Sequence, residues 1–328
     1  MPTLTVLLLV LALALAACGE KSEDTTGAAT EPFSLTLDFY PNPDHAGIYM
    51  AQKLGYFADA GLDLSIHTPS DPAAPIKQVA AGRTDLAISY EPEVLLAREQ
   101  GLDVVAVGAV VDRPLTSLIW LKKSGIGGVA GLRGKTIATA GIPYQDAYLE
   151  TILARADLTP DDVKTVNVGY GLLPALVGGR AQAMLGGFRN VEGVDLRLRG
   201  KNPVVTPVDR LGVPTYDELV LVARSDRLEE DAEATRLFLG ALARGTAAAV
   251  KSPDATTGAL LGANSDLDPK LTPAEVVATL PLLSTSGRMD PAKWTAFIAW
   301  MNENGQITNR PAASEVLSNA YLAGEIPE

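Results

Sequence analysis

Apolar and polar positions alternate with two different periods from Ser34 onward. Short runs rich in apolar and β-branched residues are each followed by a stretch with the spacing of an amphipathic helix. In chain order the first series reads "SLTLDF", "AGIYMAQKLGYFADAG", "LDLSIHT", "PAAPIKQVAAG", "TDLAISY", "EPEVLLAREQG" and "LDVVAVGAVV". Gly55, Gly61, Gly82 and Gly101 each follow a helical stretch, where a left-handed cap is common. This pattern predicts an α/β fold with a parallel sheet.

A second series repeats the alternation on a smaller scale. It reads "KTIATAG", "YQDAYLETILARA", "VKTVNVGYG", "LLPALVGGR", "AQAMLGG", "FRNVEGVDLRLRG" and "NPVVTPV". The segment "YDELVLVARSD" then predicts one further strand, and the chain from Asp231 onward predicts helices separated by Pro and Gly.

The two series predict two α/β lobes around a ligand cleft. We expect residues 34–118 to form the first part of lobe 1, 119–219 to form lobe 2, and 220–328 to form the mostly helical remainder of lobe 1. The chain would cross near residues 118–121 and return near 218–222, on two strands that act as a hinge. Ligands of such sheets bind beyond the carboxyl ends of the strands, which here means between the lobes.

The N-terminal residues predict export. The run "MPTLTVLLLVLALALAACGE" is too short to cross a bilayer as a mature helix, and it ends in small residues before Cys18, the single cysteine of the chain. Small residues before a cysteine are the pattern that lipoprotein signal peptidase cleaves. We therefore expect a signal peptide over 1–17, lipidation at Cys18 and a solvated tether over 18–33, with a buried N-terminal strand as the alternative.

Charge and cysteine content narrow the function classes. The formal net charge is −12, which argues against binding to nucleic acid or anionic lipid and weighs mildly against a strongly anionic ligand. One cysteine permits no disulfide within the chain, so the fold depends on its core alone.

Two glycine-rich motifs fail as nucleotide sites. In "GIGGVAGLRGKT", Val129 stands where a phosphate loop needs its first glycine and no strand precedes the run, so a turn into a strand is expected. In "GYGLLP", Pro174 stands where the dinucleotide fingerprint has its third glycine.

The histidines do not predict a metal site. His45 and His67 would need several carboxylates to converge on them before they could hold zinc. His67 lies in an alternating strand and is expected at the surface. His45 lies in a polar loop in which Asn42 or Asp44 could equally serve as a helix cap.

The stretch "DFYPN" with His45 and "GYF" resembles the first lobe of solute-binding proteins that serve ABC importers of thiamine pyrimidine precursors. The likeness continues through "AAGRTDLAISYEPEVLLAR", "GIPYQDAYLETIL", "VNVGYG", "LVGGRAQAMLGGFRNVE" and "PVDRLGVPTYDELVLVA", and it covers most of residues 35–224. The resemblance implies the bilobed periplasmic-binding-protein fold. The same family includes the thiamine pyrimidine synthases, which are enzymes.

The resemblance also implies a set of ligand-binding residues. They are Asp38, Tyr40, Asn42, Tyr90, Glu91, Tyr144, Asn190, Glu192, Tyr216 and Glu218. Aromatic rings can stack on an aminopyrimidine, and a carboxylate can accept a hydrogen bond from its amino group. Other interpretations stay open: Tyr90 and Tyr216 as core aromatics, Asp38 as an exposed strand end, and Glu192 as a first-turn acid of a helix.

The resemblance to the synthases breaks down at two positions. Those enzymes carry a cofactor-bearing lysine where Ser89 stands and a histidine where Glu93 stands, and they have a cysteine cluster that this chain lacks. Without the lysine no Schiff base with pyridoxal phosphate forms, so we expect no cofactor and no enzyme activity.

The sequence thus predicts an extracytoplasmic lipoprotein, a membrane-anchored monomer whose lobes close on a small aromatic heterocycle. A permease and its ATPase would be the partners. A flavin remains an alternative ligand, and a sulfonate or nitrate ranks lower because anion sites use helix N-termini and Arg. A synthase-like enzyme and a purely structural envelope lipoprotein are the alternatives from other classes.

Overall fold

The computed structural model describes residues 30–322. The predicted signal peptide, Cys18 and the tether up to residue 29 lie outside the described residues. The first strand begins at Glu31, so regular structure starts within the segment predicted as tether, which was expected to end at residue 33.

Within residues 30–322, ten strands form two sheets. They are β1 Glu31–Thr36, β2 Leu62–His67, β3 Leu86–Ser89, β4 Val104–Val111, β5 Thr116–Leu121, β6 Thr136–Thr139, β7 Lys164–Asn167, β8 Ala183–Phe188, β9 Pro203–Pro207 and β10 Leu219–Arg224.

Helices follow most of the strands and fill the C-terminal third. They are α1 Ala46–Lys53, α2 Tyr56–Asp59, α3 Pro75–Ala80, α4 Glu91–Glu99, α5 Tyr144–Ala154, α6 Leu172–Val177, α7 Glu192–Leu198, α8 Ser225–Glu230, α9 Ala232–Lys251, α10 Pro253–Ala263, α11 Thr272–Thr279, α12 Pro291–Glu303 and α13 Ala313–Val316. A short 3-10 turn, Pro43–His45, precedes α1. Within residues 30–322, no helix has both the length and the apolar composition required to span a bilayer.

Both sheets have five strands and the same plan. The first has the order β2-β1-β3-β10-β4, and the second has the order β7-β6-β8-β5-β9. In the first sheet β1 is parallel to β2 and β3, whereas β10 runs antiparallel to β3 and β4. In the second sheet β6 is parallel to β7 and β8, whereas β5 runs antiparallel to β8 and β9. The bilobed α/β fold is therefore confirmed, but its sheets are mixed rather than parallel.

The antiparallel strands are the ones that follow a passage between lobes. β5 enters the second sheet directly after β4 leaves the first, and β10 returns to the first sheet after β9. Because each arrives from the other lobe without a crossover helix, neither is constrained to run parallel to its neighbours.

The crossings lie earlier in the chain than predicted. β5 pairs with β8 and β9 along its length, so the first crossing is the connection 112–115 rather than 118–121. The return is the connection 208–218, which ends as β10 begins at Leu219. These connections, rather than strands, link the two lobes.

The last part of the described chain packs onto the first lobe. Helix α9 packs on α1 and α13 packs on β4. Leu317 forms a parallel bridge with Ala106 of β4. The helical character predicted from Asp231 onward is confirmed.

Burial explains the strand patterns. All eight residues of β4 are buried, which fits its sequence of Val and Ala with a single Gly. β2 forms an edge of the first sheet and alternates buried or half-buried with exposed positions, and His67 at its end is exposed as predicted. Gly55, Gly61, Gly82 and Gly101 all have positive φ, as expected for the caps.

Candidate functional site

Loops at the carboxyl ends of four strands meet between the lobes. From the first lobe come the segment after β1 and the residue after β3, and from the second come the segments after β6 and β8. They surround about 390 Å³ of space that no atom fills, part of it open to solvent. The lining residues are Asp38, Phe39, Tyr40, Asn42, Tyr90, Ala140, Ile142, Tyr144, Gly186, Phe188, Val191 and Glu192. We call this space the first cavity.

Asp38 is a fully buried carboxylate at the wall of the first cavity. His45 Nε2 lies 2.8 Å from its Oδ1, and the Tyr90 hydroxyl donates to its Oδ2 at 2.9 Å. His45 Nδ1 accepts from the backbone N–H of Asn42 at 3.2 Å, so Nε2 carries the proton and donates to Asp38. Two donors thus hold the carboxylate in place, and each oxygen retains a lone pair for a ligand.

The Pro43–His45 turn explains why His45 can do this. Asn42 caps the turn by accepting the backbone N–H of Asp44 at 2.8 Å, which confirms the capping interpretation. The cap fixes the start of the turn, and the turn directs the His45 ring back toward the end of β1. His45 therefore supports Asp38 rather than binding a metal.

Two tyrosines form an aromatic wall. The ring centroids of Tyr90 and Tyr144 are 5.2 Å apart, and both side chains line the cavity while being almost wholly buried. Burial raises the pKa of each phenol, and the negative charge of Asp38 raises that of Tyr90 further. Both hydroxyls are therefore neutral donors at physiological pH.

Glu192 provides a second carboxylate from the other lobe. It is the first residue of α7, and its Oε2 accepts the backbone N–H of Phe188 at 2.7 Å. Burial raises its pKa, and the bond from Phe188 partly opposes that rise. The Tyr40 hydroxyl lies 3.5 Å from its Oε1, a long contact that joins the two lobes.

Aromatic side chains also meet at the mouth of the cleft. Tyr170 of the second lobe packs edge-on against Phe39 at 4.6 Å between ring centroids. Its hydroxyl donates to the carbonyl oxygen of Pro69 in the first lobe at 2.7 Å. Burial raises the pKa of Tyr170 to about 12. This contact links the two lobes directly.

The structure brings six of the ten predicted binding residues to the first cavity. They are Asp38, Tyr40, Asn42, Tyr90, Tyr144 and Glu192. The interpretation of Asp38 as an exposed strand end is wrong, since it is fully buried. Glu192 is both a first-turn acid and a lining residue.

Four predicted residues do not line the cavity, namely Glu91, Asn190, Tyr216 and Glu218. Glu218 lies behind the cleft, where the two connections between the lobes meet. Its Oε2 accepts the backbone N–H groups of Leu115 and Thr116 at 2.6 and 2.7 Å and the Tyr216 hydroxyl at 2.9 Å. Its Oε1 accepts the Thr116 hydroxyl at 2.7 Å. Glu218 therefore ties the two connections to each other.

Tyr216 is a core aromatic. It packs between Tyr148 and Phe297, at 5.5 and 5.3 Å between ring centroids, in a row that starts from Tyr144 at the cavity wall. The row runs from the cleft to α12, so Tyr216 lies behind the cavity rather than in it. This confirms the core interpretation left open by the sequence.

Glu91 also belongs to the region of the crossings. Its Oε2 accepts the backbone N–H of Asp217 at 2.7 Å. Asp217 in turn accepts from Lys293 Nζ at 2.6 Å and from the Trp294 indole N–H at 2.7 Å. Helix α12 is thereby bonded to the return connection.

Asn190 joins three elements from different parts of the chain. Its side-chain amide donates to Asp44 Oδ1 at 2.7 Å and to the Thr279 hydroxyl at 2.8 Å. Burial raises the pKa of Asp44 well above its usual range, which favours its neutral form. Asn190 therefore holds the second lobe against the turn before α1 and the end of α11.

Three aromatic residues at the cleft were not among the predicted binding residues, namely Phe39, Phe188 and Tyr170. Phe39 and Phe188 stand in the quoted motifs "DFYPN" and "FRNVE" but were not selected, although each adjoins a selected residue. Tyr170 stands in "VNVGYG", a segment of the family resemblance, and in "GYGLLP", but no binding role was predicted for it from the sequence. An aromatic residue at or just after the end of a strand is the signal that all three share.

Known proteins resemble this chain in sequence and in fold. The sequence model described as "NMT1/THI5 like" matches residues 42–256. The chain belongs to the NMT1/THI5-like family. A formylaminopyrimidine-binding protein of Halalkalibacterium halodurans is 32% identical over 328 residues, covering 97% of this chain and 99% of that protein. A putative thiamine biosynthesis protein of Haemophilus influenzae is 35% identical over 289 residues, covering 88% and 91%.

More distant members and solved structures extend the comparison. A 4-amino-5-hydroxymethyl-2-methylpyrimidine phosphate synthase of Legionella pneumophila is 27% identical over 254 residues, covering 76% of this chain and 79% of that protein. The alkanesulfonate-binding protein SsuA of Xanthomonas axonopodis pv. citri, solved with MOPS bound, superposes with a TM-score of 0.70 at 17% identity, covering 89% of this chain and 99% of that one. The latter likeness confirms the periplasmic-binding-protein fold of this NMT1/THI5-like protein.

Ser89 and Glu93 are paired with each other in the first lobe of this NMT1/THI5-like protein. The Ser89 hydroxyl donates to Glu93 Oε2 at 3.0 Å, and both side chains are buried. Burial raises the pKa of Glu93 to about 7. The pair is satisfied internally, at the position where the resemblance to the synthases would require a lysine.

Proposed function

We propose that this protein is the extracytoplasmic substrate-binding lipoprotein of an ABC importer and that its ligand is a thiamine pyrimidine precursor of the hydroxymethylpyrimidine or formylaminopyrimidine type. The observation that carries the proposal is the pair of buried carboxylates, Asp38 and Glu192, which line one cavity from opposite lobes. The printed name of the Halalkalibacterium halodurans relative supports the same ligand class.

The chemistry of the cavity suits a flat aminopyrimidine. Its exocyclic amino group would donate to Asp38, whose position His45 and Tyr90 fix, and its ring would stack on the aromatic wall. Glu192 would accept from a polar substituent on the other side. Hydrogen bonds to charged groups contribute roughly 1.5–3 kcal/mol each, enough to distinguish an aminopyrimidine from an apolar ring.

The two connections between the lobes support a closing motion. A ligand that touches both lobes binds the closed state more tightly than the open one and therefore shifts the equilibrium toward closure. Glu218 bonds one connection to the other, so the lobes can rotate about a point that stays intact. The closed form would present its ligand to a permease and ATPase.

A binding role is favoured over catalysis. With Ser89 in place of a lysine, no Schiff base to pyridoxal phosphate forms, and Glu93 is occupied by Ser89. We therefore propose that the protein, unlike the synthases of the same family, has no enzyme activity. A purified sample should show no cofactor absorbance, and a borohydride-trappable adduct with pyridoxal phosphate would contradict this.

Other solutes fit the first cavity less well. The residues that line it include two carboxylates and no Lys or Arg, which disfavours a sulfonate or nitrate. A flavin could stack on the tyrosines, but it offers no exocyclic amine to Asp38. It remains the alternative ligand to be tested.

Isothermal titration calorimetry tests the proposal. The wild-type protein should bind 4-amino-5-hydroxymethyl-2-methylpyrimidine or its formylaminomethyl counterpart, and riboflavin and taurine should bind at least tenfold more weakly. Asp38→Asn should weaken pyrimidine binding, whereas Asp63→Asn, at an exposed position of β2, should leave it unchanged. Tight binding of riboflavin or taurine with no binding of either pyrimidine would overturn the proposed ligand.

A further inference from the structure

A second, larger cavity adjoins the first. It contains about 1460 Å³ of unfilled space, part of it open to solvent. Tyr40, Asn42, Val191 and Glu192 line both cavities, so the two are neighbours across the Tyr40–Glu192 contact. The far wall consists of the end of α10, the connection 264–271 and the start of α11. A ligand held in the first cavity could therefore extend a substituent into the second.

The second cavity is strongly acidic. Its lining carboxylates are Glu192, Asp195, Asp266, Asp268 and Glu275. Arg199 is the basic residue among the described lining residues, and its guanidinium is bonded to Asp195. The remaining carboxylates therefore face the cavity with no basic lining residue to neutralise them, and an anionic or neutral substituent would gain nothing from their charge.

Glu275 is the residue that points to a ligand. Its side chain lines the cavity and is only 7% exposed. No hydrogen bond or ion pair joins it to any other group among residues 30–322. Its oxygens keep contact with solvent only through the cavity, and a cation placed there would be attracted to a carboxylate that has no hydrogen-bonded partner among the described residues.

The charges around Glu275 also favour a cation beside it. Burial, together with the negative charges of Asp195, Glu192 and Asp268, raises the pKa of Glu275 to about 7, and the positive charge of Arg199 partly opposes that rise. A cation would favour the ionised form of Glu275 and release its proton on binding.

The spacing of the carboxylates distinguishes between kinds of cation. Within residues 30–322, no three His, Cys, Asp or Glu side chains come close enough together to ligate one metal ion. The acidic groups are instead spread along the walls of a roomy cavity. That arrangement suits an organic cation whose charge is distributed over several atoms or a ring.

We propose that the second cavity is a subsite for a positively charged substituent of the ligand, so that the protein prefers aminopyrimidines bearing an ammonium or a cationic ring over neutral ones, with Glu275 as the principal counter-ion. This inference rests on the proposed function, because the pyrimidine ring must occupy the first cavity. It adds a class of ligand that the relatives' names do not state.

A pair of ligands that differ in charge alone provides the test. Thiamine carries an aminopyrimidine joined to a cationic thiazolium, and its 3-deaza analogue replaces that ring by a neutral thiophene of the same shape. Calorimetry at pH 8 should show the wild type binding thiamine at least tenfold more tightly than the analogue. Glu275→Gln should reduce that ratio to about threefold or less, whereas Asp254→Asn, at an exposed position of α10, should leave it unchanged.

The pH dependence provides a second readout. The ratio should grow between pH 6 and pH 8 in the wild type, because Glu275 loses its proton in that range, and it should stay flat in Glu275→Gln. Glu192, Asp195, Asp268, Arg199 and the Tyr40 hydroxyl face the same space, so the flat profile of the variant identifies the titrating group.

The possible outcomes separate the two proposals. Equal affinities for thiamine and its analogue in the wild type, or a ratio unchanged in Glu275→Gln, would overturn the subsite. If hydroxymethylpyrimidine still bound, the proposed function would stand. Failure of every pyrimidine to bind would overturn both. Thermal stabilisation of the wild type by CaCl₂, lost in Glu275→Gln and not produced by thiamine, would replace the organic cation with a metal ion.

Discussion

At the scale of single residues, the candidate site depends on carboxylates that are buried yet still hydrogen-bonded. Asp38 is held by His45 and Tyr90, and Glu192 is held by the backbone of Phe188. Burying a charge is costly unless donors compensate it, so these bonds keep each acid positioned before any ligand arrives. A preorganised acceptor loses less free energy on binding than a mobile one.

Replacement of Glu192 by Gln tests this arrangement. The amide oxygen can still accept from Phe188, so the fold should persist, but the variant loses the negative charge and places a donor where a ligand amine needs an acceptor. We expect pyrimidine affinity to fall about tenfold or more, which corresponds to ~1.4 kcal/mol or more. Glu150→Gln, at an exposed position of α5, is the matched control. Calorimetric curves of the two variants that superimpose would remove Glu192 from the site.

At the scale of elements, the close packing of α1 on α9 positions the turn that carries His45. Gly47 and Gly245 lie face to face: a methyl group added at Gly245 would overlap the carbonyl oxygen of Gly47, and one added at Gly47 would overlap Thr246. The two helix backbones therefore approach so closely that a side chain at either glycine would force them apart. The start of α1 follows the turn directly, so this packing bears on the cavity wall.

Two alanine substitutions on the same helix separate packing from helix propensity. Gly245→Ala should lower the free energy of unfolding by about 2 kcal/mol or more, because the new methyl group would overlap backbone atoms of α1, which can move only if the two helices separate. Gly240→Ala meets nothing within 4 Å and should stabilise the protein by up to ~1 kcal/mol through helix propensity. Urea denaturation measures both, and a Gly245→Ala protein as stable as Gly240→Ala would show that the helices can separate freely.

At the scale of the whole molecule, buried acids make stability depend on pH. Burial raises the pKa of Glu93 to about 7, above the 4.5 of an unperturbed Glu. An unfolded chain therefore loses this proton at lower pH than the folded one, and stability falls as pH rises from about 4.5 to about 7.

The unliganded protein should accordingly unfold at a higher temperature at pH 5 than at pH 7.5. Glu93→Gln should flatten this slope by an amount on the order of 1 to 3 kcal/mol, since the amide can still accept from Ser89. Glu99 is a suitable control because hydrogen bonds from Thr308 lower its pKa, so Glu99→Gln should leave the slope in this window unchanged. Melting scans that rise steadily from pH 5 to pH 7.5 would contradict the assignment.

The proposed membrane anchor is Cys18, which lies outside residues 30–322. Cys18→Ala should release the protein from the membrane fraction and abolish labelling with a fatty-acid probe, because no other cysteine can carry the lipid. Ligand affinity should not change, since the first cavity contains no sulfur. Unaltered fractionation of the variant, with labelling retained, would refute lipidation at Cys18.

The sequence by itself determined the elements, because helix and strand periodicities and glycine caps are local properties. The runs around Leu86 and Val104 are strands, and the caps at Gly61 and Gly101 have the predicted positive φ. The position of the first loop in the cleft could also be predicted from the sequence, because Asp38 and Tyr40 follow closely after β1. Loops that follow parallel strands of one sheet meet at one edge of it.

Only the tertiary structure decided which polar residues face the cavity. Glu218 is bonded to Leu115 and Thr116, and Asn190 is bonded to Asp44, all distant along the chain. A carboxylate or amide in a loop has no local signal for whether its partner will be a ligand or another loop. The residues of β5 and β10 likewise do not indicate that these strands run antiparallel to their neighbours. The direction of a strand in a sheet depends on how the chain reaches it, and both strands arrive from the other lobe.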